Sequence, residues 1–262
     1  MKKLFLVLAF VVVIFPVFGS PAGEFGYGAK PTGIISAMNS ELQFLIDNTH
    51  VARVDEIGGM KFYTGTLRGK QVVLVKGGVG KSLSAACTAT LINKFNVKQI
   101  IFTGIAGGVG DNVKVLDVVI GTEMALHDYG TVGNEEGFFW RAGPDGIARI
   151  PVDQRLMNLA YDTAVSVVGR NRVYRGLIAT GDQFIASEYY VGLLQEKFNA
   201  LACEMEGASV ALIAHKYNVP CVVIRCMSDK ADGYAHTAIA NFGDQAAQIS
   251  EQIVLGLLEK LD

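Results

Sequence analysis

A chain of 262 residues, half of them hydrophobic, carries enough apolar surface for one large core and is short for two. Twenty-three Lys and Arg against 25 Asp and Glu leave a net charge of −2. That balance excludes the basic footprint of a nucleic-acid binder and the polybasic tract of a protein held on anionic membranes, so small molecules are the partners to expect. Thirty glycines and six prolines, spread without repeats, speak against a fibrous or disordered chain and for many tight turns.

Met1-Lys2-Lys3 followed by the apolar run Leu4 to Phe18 has the build of a secretory signal peptide, too short for a comfortable membrane span. Residues 1–19 are therefore read as a leader of an exported, periplasmic protein. The mature start falls near Ser20, or after Pro21-Ala22, with an uncleaved N-terminal anchor as the alternative. Residues 20–31 form a loose, glycine-rich lead-in, and 32–262 a single domain. Cys87, Cys203, Cys221 and Cys226 sit in apolar contexts without metal-ligand spacing. Buried free thiols are the reading, although an exported protein has the option of pairing them.

Thr32 to Met38 reads as a buried strand, and Asn39-Ser40-Glu41 opens an apolar-periodic segment with Asn39 as its cap. Lys61–Leu67 and Gln71–Val75 flank Arg68-Gly69-Lys70 as a hairpin. Lys76-Gly77-Gly78-Val79-Gly80-Lys81-Ser82 then precedes a helix from about Leu83 to Phe95. Its ending tempts toward a nucleotide P-loop, but the first glycine of that motif falls at Val75. Two readings stand: backbone brought close to a ligand, or a plain strand-to-helix turn. Val97–Phe102 is a strand ending in the loop Thr103 to Gly110, where a dinucleotide fingerprint fails at Val113.

Val115–Met124 reads as a strand leading to His127-Asp128-Tyr129, with His127 more often structural than catalytic. Gly130 to Ile150, holding the sole tryptophan, Trp140, is a long excursion of the kind that makes lids and binding loops. Asp153–Val168 has helical periodicity, and Val173–Ala179 is a strand delivering Thr180 to Ala186. Ile239 to Leu261 carries one apolar stripe that covers a sheet face.

The stretch Cys203 to Ala208 puts Glu204 and Glu206 in an apolar neighbourhood, where unpartnered carboxylates cost several kcal/mol. In the bland reading, the dipole of the helix beyond favours Glu206 and Glu204 is partly exposed. In the sharper one, that helix and the strand Val219–Met227 form a crossover unit of a parallel sheet, bringing Glu204, Glu206, Arg225 and Asp229 into one crevice.

Taken in order, Gly33 to Met38 with Glu41, Lys76 to Lys81, Thr103 to Gly108, Thr180 to Ile185, Glu204-Met205-Glu206, and Arg225 with Ser228-Asp229 form a set. With it the chain resembles the 5′-methylthioadenosine/S-adenosylhomocysteine nucleosidase family from Thr32 to the C-terminus. The resemblance implies a three-layer α/β sandwich with a mixed, twisted central sheet. It also implies a homodimer that hydrolyses the N-glycosidic bond of adenine nucleosides with water, without cofactor or metal. By position Glu41 orients and deprotonates the water. Asp229 protonates N7 of adenine, held by Ser228 and neighbouring Arg225. Glu206 grips the ribose hydroxyls with Met205 beneath the sugar, Phe184 stacks on adenine, the Ile185 backbone reads its edge, and Met38 and Val79 line the pocket. Ile105 replaces a common serine, Asn39-Ser40 replace common acids, and Ile239 falls where a phenylalanine often closes the site, which bears on the 5′-substituent.

The chemistry asks for these residue types in its own right. Cleavage at a ribosyl carbon builds positive charge on the sugar and negative charge on the base, so it wants carboxylates near the ribose and an acid near the base. Two rival readings remain. A purine nucleoside phosphorylase is disfavoured because Glu41 repels phosphate; a non-catalytic exported nucleoside- or surface-binding protein has no need of Glu41, Glu206 and Asp229 together.

Overall fold

Thr32–Ser36 (β1), buried at all five positions, is the strand around which the rest is laid down. The computed structural model describes residues 30–133, 137–140 and 146–262; the leader 1–19 and nearly all of the lead-in 20–31 lie outside the described residues. A 3₁₀ turn, Asn39–Glu41, and a short helix α1 (Gln43–Asp47) follow β1, then β2 (His50–Ile57), β3 (Met60–Leu67), β4 (Lys70–Lys76), α2 (Lys81–Phe95), β5 (Gln99–Gly108) and β6 (Val118–Leu126). The second half runs β7 (Gly130–Gly133), β8 (Gly137–Trp140), β9 (Ile150–Pro151), α3 (Gln154–Val168), β10 (Val173–Thr180), α4 (Glu188–Phe198), β11 (Ala200–Glu204), α5 (Gly207–Lys216), β12 (Cys221–Asp229) and α6 (Ala235–Lys260).

The strands form one mixed sheet in the order β2-β3-β4-β1-β5-β12-β6-β10-β11, with β9 paired to β6. β11 then comes round to meet the end of β5, Ala202 opposite Gly108 and Cys203 opposite Gly107, so that β5, β12, β6, β10 and β11 close into a ring. Two helix groups, α2 with α5 and α3 with α6, flank the sheet. β5 and β12 are buried almost throughout, as strands covered on both faces must be, and read as near-continuous apolar runs. Among the described residues, no helix is long and apolar enough to cross a membrane.

Several sequence expectations are corrected here. β11 and β12 are not neighbours of one parallel crossover: both pair with β5, β12 parallel and β11 antiparallel. β5 does not stop at Phe102 but continues to Gly108, because pairing with β12 and β11 carries it on. β2 escapes an alternation test since its side chains are almost all exposed. Asn39 is not the cap of a helix; Met38 precedes the turn, and a carboxylate rather than an amide answers the amides there. The excursion from Gly130 pairs β7 with β8 as a hairpin, with residues 134–136 and 141–145 outside the described part. All four cysteines are buried free thiols, and burial pushes each thiol up.

Candidate active site

Past β1, the 3₁₀ turn folds Glu41 back toward the sheet. One carboxylate oxygen accepts the amides of Ala37 at 3.0 Å and Met38 at 2.8 Å, and the other accepts the amide of Ile105 at 2.9 Å. Ser36 Oγ donates to the Glu41 carbonyl at 3.2 Å. Burial pushes the Glu41 carboxyl up, while the Arg225 charge and the three amides pull it back part of the way.

Gly104 explains why glycine stands opposite this carboxylate. A Cβ there would meet Arg225 Nη1 and lie 2.5 Å from Glu41 Oε1. At Gly107 a Cβ would come within 2.9 Å of Asp229 Oδ1 and of the Ala231 side chain. The glycine-rich β5 end therefore makes room for the protein's own functional side chains. The stretch before α2 behaves likewise, with Gly80, at φ 99°, donating its amide to Glu206 Oε1 at 2.9 Å.

β11 ends in Glu204, which accepts from Thr180 Oγ1, from the Glu206 amide at 3.1 Å and from the Gly207 amide at 2.7 Å. Both glutamates are buried, so the partly exposed reading of Glu204 is set aside. Arg225, fully buried over the Phe102 ring, pairs with Glu204 and reaches Glu206 Oε2 at 3.4 Å. Burial and the Glu204 charge push Glu206 up to about 7, against the pull of Arg225.

Asp229 stands apart from that pair. The expectation that Arg225 neighbours it is wrong: the two stand four positions apart along β12, and the guanidinium is spent on the two glutamates. Asp229 is instead held by Ser228 Oγ at 2.7 Å and the Ala231 amide at 2.7 Å. Burial pushes its carboxyl up, with those hydrogen bonds acting against the rise. The opposing pull expected from Arg225 is thus absent, and the acid is free to hold a proton at higher pH than an ordinary aspartate.

These side chains converge on one cavity of about 190 Å³. Of the sequence-predicted residues, Met38, Glu41, Val79, Phe184, Met205, Glu206, Ser228 and Asp229 line it. Arg225 lies behind the lining, and Ile185 is buried among Val109, Leu177 and Leu194 rather than on the wall. Ala37, Ile105, Ala106, Gly107, Cys203, Glu204 and Ile239 complete the wall. Phe184 is exposed at the mouth, its ring 4.7 Å from that of His236. A larger cavity of about 500 Å³, between Asn39, Gly59, Lys61 and Lys76, has no carboxylate among the described residues that line it. His127 is buried off the site with neither ring nitrogen partnered, and burial pushes it down. Among the described residues, no group of three or more His, Cys, Asp or Glu is placed to hold a metal ion.

Two carboxylates held in unlike surroundings, a third for hydroxyl groups and an exposed ring at the mouth make a site for acid–base cleavage of a glycosidic bond. The fold and this site define a member of the phosphorylase superfamily, whose family model matches residues 31–259. The 5′-methylthioadenosine/S-adenosylhomocysteine nucleosidase of Shewanella denitrificans is 37% identical over 232 residues, covering 87% of this chain and 99% of that protein. The Neisseria meningitidis nucleosidase of the same name, solved with methylthio-immucillin-A, superposes with a TM-score of 0.81 at 35% identity, covering 89% of this chain and all of that one. Futalosine hydrolase of Helicobacter pylori superposes at 0.80 with 30% identity, covering 88% and 98%. The chain belongs to the 5′-methylthioadenosine/S-adenosylhomocysteine nucleosidase family.

Proposed function

We propose that this chain hydrolyses 5′-methylthioadenosine, S-adenosylhomocysteine or a closely related 5′-substituted adenosine to adenine and the free sugar, with Glu41 and Asp229 as its working pair. The observation that carries this is the gathering of Glu41, Glu206 and Asp229 on one cavity wall. Asp229, with its raised carboxyl, donates a proton to N7 of the leaving adenine. The positive charge that grows on the ribosyl ring faces Glu206 and Glu41, and Glu41, fixed by three amides, takes the proton of the attacking water. Glu206 receives the ribose hydroxyls, Met205 packs against the sugar, and Phe184 covers the base. Ile185 contributes only through its backbone, consistent with its buried side chain.

Hydrolysis is favoured over phosphorolysis by the lining itself. Among the described residues around the cavity there is no Lys or Arg, and the guanidinium behind it is engaged by two carboxylates. Phosphate has no cation to meet there. The apolar side chains of Met38, Val79, Ile105 and Ile239 suit a thioether substituent. Incubating the purified protein with methylthioadenosine in phosphate-free buffer is expected to give adenine and methylthioribose. A sugar 1-phosphate formed only when phosphate is added overturns the reading.

A homodimer fits the exposure of Val79, at the mouth of the cavity, and of Leu83 on α2, which together ask for cover. Light scattering at micromolar concentration tests it. Export rests on the leader-like residues 1–19, which precede the family match; periplasmic fractionation with N-terminal sequencing is expected to find a chain beginning near Ser20.

A further inference from the structure

Lys81, the residue that gives the connection before α2 its likeness to a nucleotide motif, turns its ammonium to the protein itself. Both oxygens of Asp128, just past β6, accept from Lys81 Nζ at 2.6 Å. Asp182, just past β10, completes a ring: its amide donates to Asp128 Oδ2 at 2.8 Å, and its Oδ1 accepts the Lys81 amide at 2.7 Å. Three segments far apart in the sequence meet there. An exposed ion pair by itself contributes little. Here the two carboxylates also take a backbone amide each, so the ring fixes the course of the chain and not only the side chains.

The chain that it fixes is one that its own residues do little to stiffen. Between β4 and α2 both Gly78, at φ 83°, and Gly80, at φ 99°, lie in the left-handed region, where glycine is at ease and also least constrained. Yet the Gly80 amide, 2.9 Å from Glu206 Oε1, is what aims the carboxylate that receives the ribose hydroxyls. A Cβ at Gly80 would lie 3.1 Å from Asp182 Oδ1, so the ring closes directly over this residue. Glu41 and Asp229 take their partners elsewhere, Glu41 from Ala37, Met38 and Ile105, and Asp229 from Ser228 and Ala231.

We propose that Asp128 is a positioning residue for Glu206: by holding the Lys81 ammonium and the Asp182 amide it sets the first residue of α2, and with it the Gly80 amide that aims the Glu206 carboxylate. The proposal rests on Glu206 being the group that receives the ribose hydroxyls. Asp128 lies outside the cavity lining, so it acts through Lys81 and Gly80 and not on the nucleoside.

The experiment measures kcat, KM and thermal midpoint with methylthioadenosine for Asp128→Ala, Lys81→Met and Glu206→Ala, and for each of the first two combined with the third. Asp128→Ala is expected to lower kcat/KM about 10- to 100-fold, the scale of a small misplacement of a group that holds the substrate, with the larger share in KM. Added to Glu206→Ala, it is expected to cost less than about threefold, because the carboxylate that the ring aims is gone. Wild-type kcat/KM in a folded Asp128→Ala protein overturns the proposal. So does a loss that recurs in full in the Glu206→Ala background, which would mark an effect on the fold at large. Should Asp128→Ala fail to fold, Lys81→Met breaks the same ion pair and is read by the same two criteria. Wild-type kcat/KM in Glu206→Ala alone instead removes the hydroxyl-binding role of Glu206, which separates the two failures.

Discussion

Gly104→Ala adds one methyl group where the structure has no room for it. The new Cβ meets Arg225 Nη1 and lies 2.5 Å from Glu41 Oε1 and 3.0 Å from its Cδ, so one of the two buried side chains must move. Arg225 is tied to Glu204 and Glu206, whereas Glu41 is held by three amides, one of them at Ile105 beside the substitution. Glu41 is therefore the group that yields. Overpacking of this kind costs about 1–3 kcal/mol. In a domain of this size about 2 kcal/mol lowers the melting temperature by roughly 4–8 °C. Displacing Glu41, the proposed base, by about 1 Å is worth about a hundredfold in rate. Differential scanning fluorimetry and a coupled adenine-release assay on the same preparation read both effects. The expected pattern is a modest loss of stability with a disproportionate loss of kcat. A folded Gly104→Ala enzyme at wild-type kcat would show that Glu41 is not seated as described, or is not the base.

Asp229→Asn removes the proposed proton donor but keeps Oδ1 for the Ala231 amide, so kcat is expected to fall about 10²- to 10⁴-fold while the nucleoside still binds, as calorimetry on the inactive protein would record. Arg225→Met leaves Glu204 and Glu206 buried without their cation, a loss of about 3–5 kcal/mol readable by chemical denaturation. For pH, Glu206 titrates near 7 in the fold, while an unfolded glutamate titrates near ~4.3. The folded state then binds more protons than the unfolded between those values, so this group's contribution is full below ~4.3 and is lost as pH rises toward 7. Glu206→Gln is expected to flatten the fall in melting temperature across that window; an unchanged slope refutes the shift.

The fold was legible in the sequence where burial leaves a period or a run: β1, β4, α2, the middle of β5, α3, β10, β12 and α6 all stand where apolar patterning puts them. It was not legible where pairing alone makes the strand. β2 is almost wholly exposed, and the closure of β11 onto Gly107 and Gly108 depends on residues a hundred positions away. Eight of ten site residues reached the cavity wall because type and order carry that information. Who pairs with whom was hidden, since Arg225 meets Glu204 and Glu206 from another strand end rather than Asp229 four positions along its own strand.

Four carboxylates crowd this end of the sheet, and their surroundings sort them into roles. Glu204 has the arginine, two amides and a hydroxyl, and so anchors the framework. Its charge is what raises Glu206, beside burial. Glu41 receives the charge of Arg225 and three amides, which offset part of the rise that burial causes. Asp229 has a hydroxyl and one amide, with Asp232 adding repulsion, and so keeps a raised carboxyl suited to donating a proton. On the proposed roles the same residue type serves as anchor, hydroxyl binder and base, and its short homologue as acid, with the buried Arg225 placed beside Glu204 while Asp229 is held by Ser228 and the Ala231 amide.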